Sequence, residues 1–67
     1  MQIYLQGQPH QIPNEINTIS ALLEHLQLPR KGIVIELNQT ALHLHEWDTT
    51  PIQEGDAIEL IRIVAGG

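Results

Sequence analysis

Hydrophobic and polar positions alternate over the first six residues. Met1, Ile3 and Leu5 share one side, and Gln2, Tyr4 and Gln6 the other. A period of two predicts a strand with one buried face. Gly7-Gln8-Pro9 is turn chemistry, and His10-Gln11-Ile12 returns as a short second strand, so the chain opens on a hairpin. Pro13-Asn14 ends it, because proline cannot donate to a ladder. The period then changes. Ile19, Leu22, Leu23 and Leu26 recur at i, i+3, i+4 and i+7, the apolar stripe of a helix. Thr18 is placed to cap its first turn, and Pro29 bars its continuation. The pattern predicts a helix over residues 19–27, about two and a half turns. A helix that short is not stable alone and has to pack on a sheet.

After the Arg30-Lys31-Gly32 loop, alternation resumes. Ile33, Ile35 and Leu37 fall on one face of a third strand, Val34 and Glu36 on the other. Asn38-Gln39 reads as a tight turn and residues 40–44 as a fourth strand. Residues 45–48 have no period and predict a turn or short helical loop, with Trp47 packing at the rim of the core. Ile52 is a core contact inside a connection, and Glu54-Gly55-Asp56 is a turn that launches the last strand, residues 58–64. Ile58 and Leu60 face the helix together with Ile3, Leu5, Ile35 and Leu37. Ile61 and Ile63 face away and join Val34 in an apolar patch, which is a docking surface, lies under the loop around Trp47, or is the ordinary scatter of apolar residues on a surface. Beyond Val64 the side chains vanish: Ala65, Gly66 and Gly67 carry one methyl group between them. Residues 1–64 are expected to form one domain and residues 65–67 a flexible tail. Three extended residues reach about 10 Å, enough to enter a narrow slot in another protein.

Strand, strand, helix, strand, strand, strand is an α+β order. An opening hairpin, a crossover helix and a closing strand fit a mixed sheet of four to five strands with one main helix packed on one face. The first and last strands then pair in parallel with right-handed crossover. That arrangement is the β-grasp, or ubiquitin-like, roll.

Composition narrows the function. The chain has 67 residues and no cysteine, so disulfides, cysteine zinc sites and a cysteine nucleophile are excluded, and the core must hold a small domain unaided. Eight acidic residues face only Arg30, Lys31 and Arg62, a formal charge of −5. That balance argues against nucleic acid and anionic membranes and favours a partner with a basic docking face. Neither a secretory signal nor a transmembrane stretch is expected, and the absence of cysteine suits a reducing, cytoplasmic setting.

On five features together the chain resembles the ThiS family, the small sulfur carriers of thiamine biosynthesis. These are the opening Met1-Gln2-Ile3; Thr18 ahead of Leu22-Leu23-Glu24-His25-Leu26; Leu37-Asn38 with Trp47 nine residues on; Glu54-Gly55-Asp56; and the ending Ile63-Val64-Ala65-Gly66-Gly67. It departs from the family pattern at His43-Leu44, where members often carry Pro-Arg. The small subunit of molybdopterin synthase also ends in two glycines, but tends to be longer and to carry prolines before the tail, where Arg62-Ile63 stand here. The resemblance implies a protein cosubstrate rather than an enzyme. A ThiF-like adenylyltransferase using ATP and magnesium would adenylate the Gly67 carboxylate. Sulfur originating from a cysteine desulfurase would convert it to a thiocarboxylate, and a ThiG-like thiazole synthase would receive the sulfur. Gly66, Ala65, Val64, Ile63, Ile61 and Val34 would contact the partners. Other readings are a ubiquitin-like modifier linked to lysines, or a plain binding module.

The chain itself is expected to bind no cofactor. It has no Gly-x-x-x-x-Gly-Lys loop with which to hold ATP. Missing side chains at Gly66 and Gly67 let backbone pass close to a partner's catalytic groups. His43 and His45 with Glu46 could approach zinc if the fourth strand persisted through them, but the third ligand is sequential rather than convergent, so no metal site is expected. His10 and His25 are expected in solvent. The carboxylates Glu24, Glu36, Glu54 and Asp56 offer no separated acid–base pair.

Overall fold

The computed structural model describes residues 1–63. The strands are β1 (Gln2–Leu5), β2 (Gln8–Gln11), β3 (Ile33–Leu37), β4 (Thr40–Leu42) and β5 (Ala57–Arg62). One helix, α1 (Ile19–His25), follows β2, and a 3₁₀ turn spans Leu44–Glu46. The sheet order is β2-β1-β5-β3-β4. β1 and β5 run parallel at its centre, and every other pairing is antiparallel. This is the expected β-grasp roll with five strands. Helix and sheet enclose a core of Ile3, Ile12, Ile19, Leu22, Leu23, Ile35, Trp47, Ile52 and Ile58. Among the described residues no buried polar or charged residue interrupts it. Leu5, Leu37 and Leu60 pack against this core from the positions that alternation assigns.

The first hairpin turns one residue earlier than its composition suggests. Gln6 and Gly7 both have positive φ, 53° and 78°, the pair of left-handed residues that a two-residue hairpin loop requires. Gln8 and Pro9 therefore belong to β2 rather than to the turn. Pro9 is tolerated because β2 is an edge strand and its register partner Tyr4 directs its N–H to Asp56 O on the other side, at 2.8 Å. Gln6 is not a residue that favours the left-handed region. It is held there by its side chain: Leu60 N–H donates to Gln6 Oε1 at 2.7 Å and Gln6 Nε2 donates to Leu60 O at 3.0 Å. The side-chain amide thus completes the parallel ladder where the β1 backbone has turned away.

Helix α1 begins as expected. Thr18 is extended, and its Oγ1 accepts from Ala21 N–H at 3.2 Å. It ends two residues before the expected limit. Gln27 takes φ 59°, with Gln27 N–H donating to Glu24 O at 3.1 Å and Leu28 N–H to Leu23 O at 2.9 Å. These two bonds form a Schellman motif, which usually places glycine at the left-handed position.

The Asn38-Gln39 turn between β3 and β4 also has two left-handed residues, with φ 50° and 71°. Asn38 is bonded across to β5: Ala57 N–H donates to its Oδ1 at 2.9 Å, and its Nδ2 donates to Asp56 Oδ1 at 3.1 Å. The other Asp56 oxygen accepts from Gln53 N–H at 2.8 Å, closing the turn around Gly55. That turn also joins the start of β1, through Gly55 N–H to Gln2 O at 2.8 Å and Gln2 N–H to Glu54 Oε1 at 3.0 Å. Glu54-Gly55-Asp56 is therefore a structural joint between three strands.

β4 stops at Leu42, two residues short of the expected end. Residues 43–50 instead fold back beside the helix, with Ser20 N–H donating to Trp47 O at 3.0 Å. Trp47 is a full member of the core, 2% exposed, and not only a rim residue. Its indole N–H finds no acceptor among the described residues. The Arg30 guanidinium lies 5.6 Å from the centre of its ring. Arg30 also donates to Ser20 Oγ at 3.0 Å and pairs with Asp48 at 3.3 Å, while the Ser20 hydroxyl donates to Asp48. The Ser20 hydrogen bond first, then Arg30, holds the Asp48 carboxyl below its ordinary value of 3.8.

Two measurements probe these local features. Gln27→Gly removes the left-handed penalty and is expected to raise the unfolding free energy by about 0.5–1 kcal/mol, read from the urea midpoint. The Asp48 contribution has a definite pH window. A depressed folded pKa gives stability that is present above 3.8 and lost as pH falls through the lower folded value. Asp48→Asn should therefore lower the melting temperature at neutral pH, and the gap to the parent chain should close below pH 3.8.

Candidate functional site

The face of the sheet away from α1 is built by alternation. Ile3, Ile35 and Ile58 point into the core, so Tyr4, Val34 and Ile61 point out on their own strands. Register then sets the neighbours: Val34 lies directly opposite Ile61, and Tyr4 opposite Ala57. Val34 is half-buried, whereas Tyr4 is 39% exposed and Ile61 41%. The loop around Trp47 is bonded to the helix, where Ser20 N–H donates to Trp47 O, and Tyr4 and Ile61 are exposed on the opposite face.

The same register puts Glu36 directly opposite Glu59, one step along from the Val34–Ile61 pair. Two like charges across a strand pair disfavour folding slightly. They also create a local negative field that a basic partner surface would relieve. Val34, Ile61 and the two glutamates thus present an apolar contact with an acidic flank. Alternation assigns each of these residues to the outer face, but the Glu36–Glu59 opposition depends on register between strands and has no signal in the sequence. Tyr4 falls on that face by the same alternation, and only the β1–β5 pairing brings it near the patch.

Ile63 is 58% exposed and is tied to the β3 side by its N–H, which donates to Gly32 O at 2.8 Å. It stands at the end of the described chain, where the outer face meets a groove on the helix side. The expected partner contacts Val64, Ala65 and Gly66, and the expected reactive Gly67, lie outside the described residues, as does the tail boundary at residue 64. β5 itself ends at Arg62.

The remaining candidates resolve simply. His43 and His45 stack with ring centroids 5.6 Å apart and nearly parallel planes. Glu46 is engaged by His43 N–H at 2.7 Å. The strand that would have spread these groups into a ligand set has already ended. Among the described residues no cluster of three or more histidines and carboxylates converges on a point. His10 and His25 are exposed, as expected. Among the described residues no helix is long and apolar enough to cross a membrane.

Known proteins share this sequence pattern and fold. The model of the ThiS family matches residues 3–67. A sulfur carrier protein ThiS of Thermus thermophilus is 31% identical over 65 residues, covering 97% of this chain and 98% of the relative. The corresponding Escherichia coli protein is 34% identical over 50 residues, 75% of this chain and 76% of the relative. The crystal structure of a thiamine biosynthesis protein, ThiS, from Geobacter metallireducens superposes with a TM-score of 0.87 at 26% identity, covering each chain completely. A match running through strands, helix, structural turns and the glycine-ended segment leaves one conclusion: the chain belongs to the ThiS family.

Proposed function

We propose that the protein is a sulfur carrier for thiazole formation in thiamine biosynthesis, and that Gly67 is its reacting residue. A single observation carries the reading: the family match runs through to residue 67, so the Ala65-Gly66-Gly67 segment belongs to the shared pattern. The carriers of Thermus thermophilus and Escherichia coli are named for sulfur carriage, which supports the same role here.

The chemistry stems from the terminal group. An α-carboxyl group has a pKa of about 3.5 and is an anion at neutral pH. It is a weak nucleophile that becomes competent when an adenylyltransferase positions it against the α-phosphorus of magnesium-bound ATP. A carboxylate oxygen bonds to that phosphorus and pyrophosphate leaves. A persulfide derived from a cysteine desulfurase then attacks the acyl carbon, and AMP departs with the bonding electron pair. A thiol cleaves the resulting S–S bond by exchange, supplying the two electrons and leaving a thiocarboxylate on Gly67 for the thiazole synthase. The protein contributes no catalytic group. It supplies the docking face of Val34, Ile61 and the Glu36–Glu59 pair, and a terminal segment nearly devoid of side chains that can enter a narrow site.

Co-expression with the activating enzyme should yield protein whose intact mass has risen by the exchange of one oxygen for sulfur. Deleting Gly67 should abolish ATP-dependent pyrophosphate release; undiminished release would remove the basis of the proposal. Ile61→Ser leaves the core untouched and should raise the KM for the carrier in adenylation at least tenfold, the loss expected for one buried interface anchor of about 1.4 kcal/mol.

A further inference from the structure

β5 outruns β1. Their pairing stops at Leu5–Ile58, and the Gln6 side chain carries the ladder only as far as Leu60. Hydrogen-bond parity along β5 fixes the direction of its remaining main-chain groups. Asn38 N–H donates to Ala57 O at 2.7 Å and Ile63 N–H to Gly32 O at 2.8 Å, so odd-numbered residues of β5 turn their main-chain groups toward β3. Even-numbered residues turn toward β1, as Gln6 N–H to Ile58 O at 3.1 Å confirms. Arg62 is the next even residue. Its N–H and C=O point into the lane that β1 has left, and no described residue occupies it.

That open edge borders a groove of about 480 Å³ on the helix side of the sheet. Leu28, Ile33 and Leu60, each half-buried, contribute its apolar lining, and Lys31 and Arg62 also line it. In a chain of charge −5, two of the three cations therefore meet at one place. The third, Arg30, is already paired with Asp48. Among the described residues neither Lys31 nor Arg62 meets a carboxylate.

From these features we infer that the groove is a second docking site, for an extended acidic segment of a partner protein. The segment lies along β5 in the vacated lane and exchanges main-chain hydrogen bonds with Arg62. It sets one bulky apolar side chain over Leu28, Ile33 and Leu60, and places carboxylates against Lys31 and Arg62. Strand addition at an exposed edge draws affinity from the main chain and selectivity from the side-chain pocket. This site is opposite in character to the outer face: that surface is acidic and suits a basic partner, whereas the groove is cationic and suits an acidic one. The chain's own residues 65–67 are poor occupants, because they carry a single methyl group with which to fill an apolar floor. Docking in the groove does not depend on the chemistry at Gly67.

The test is a titration of the full ¹⁵N-labelled chain with a capped peptide of sequence glutamate-valine-leucine-valine-glutamate. A control peptide carries lysines in place of the glutamates. The expected result is saturable amide shifts centred on Gln6, Lys31, Gly32, Leu60 and Arg62. The lysine peptide should bind at least tenfold more weakly, and Lys31→Glu and Arg62→Glu should each cost a similar factor. Equal response to the two peptides, shifts centred on Val34 and Ile61, or no saturable shift at millimolar peptide would each overturn the inference. So would a chain lacking residues 64–67 that shows the same shifts without peptide, which would make the tail itself the occupant. Pyrophosphate release, which tests Gly67, is read separately.

Discussion

The parallel contact between β1 and β5 is the constraint on which the other elements depend. It brings two segments more than fifty residues apart side by side at the centre of the sheet. Parallel neighbours cannot be joined by a tight turn, so the chain between them must cross a face, and α1 occupies that crossover. Ile3 and Ile58 then lie beneath Ile19, Leu22 and Leu23, and this layer of aliphatic side chains does the work that disulfides do in other small domains. With β1 and β5 adjacent, β2 must fall outside β1, and β3 and β4 outside β5. The last described residues consequently leave the sheet from its central strand rather than from an edge.

Most of the residues that carry the family resemblance serve this architecture. Thr18 caps the helix, Asn38 and Asp56 lock the β3–β4 turn to the root of β5, and Glu54 and Gly55 clasp the beginning of β1. Trp47 fills the core beneath Arg30. Their hydrogen bonds are internal, so a change at these positions acts on stability and on the placement of β5 before it acts on any partner. The proposed chemistry falls to the glycines at the end of the chain, and the proposed recognition to exposed residues outside these joints. The departure at His43-Leu44 lies where β4 has ended and the chain bends back toward the helix, away from the outer face.

The two ends of the charge balance are spatially sorted. Glu36 and Glu59 stand opposite one another on the outer face, while Lys31 and Arg62 meet at the groove on the helix side. Both lie close to where β5 emerges. Under the proposed function, in which successive enzymes handle the chain, such sorting lets two partners be distinguished by sign of charge as well as by shape.

Periodicity determined the helical stripe and the inward residues of β1, β3 and β5, residue type gave the Thr18 cap and the turn at Asn38-Gln39, and the order of the elements gave the fold class. Stripe and alternation are local rules in which the pattern and the structure share the same period. The family, too, was legible, because its turns and its glycine ending are short contiguous motifs. The hairpin position, the helix end and the early stop of β4 were not. Gln6 adopts a left-handed conformation because Leu60 supplies both of its hydrogen bonds, and residues 43–50 turn back because Trp47 is buried against the helix. The opposed glutamates and the groove are also tertiary products. Alternation says which way a side chain points, but only register between distant strands decides which side chain it meets.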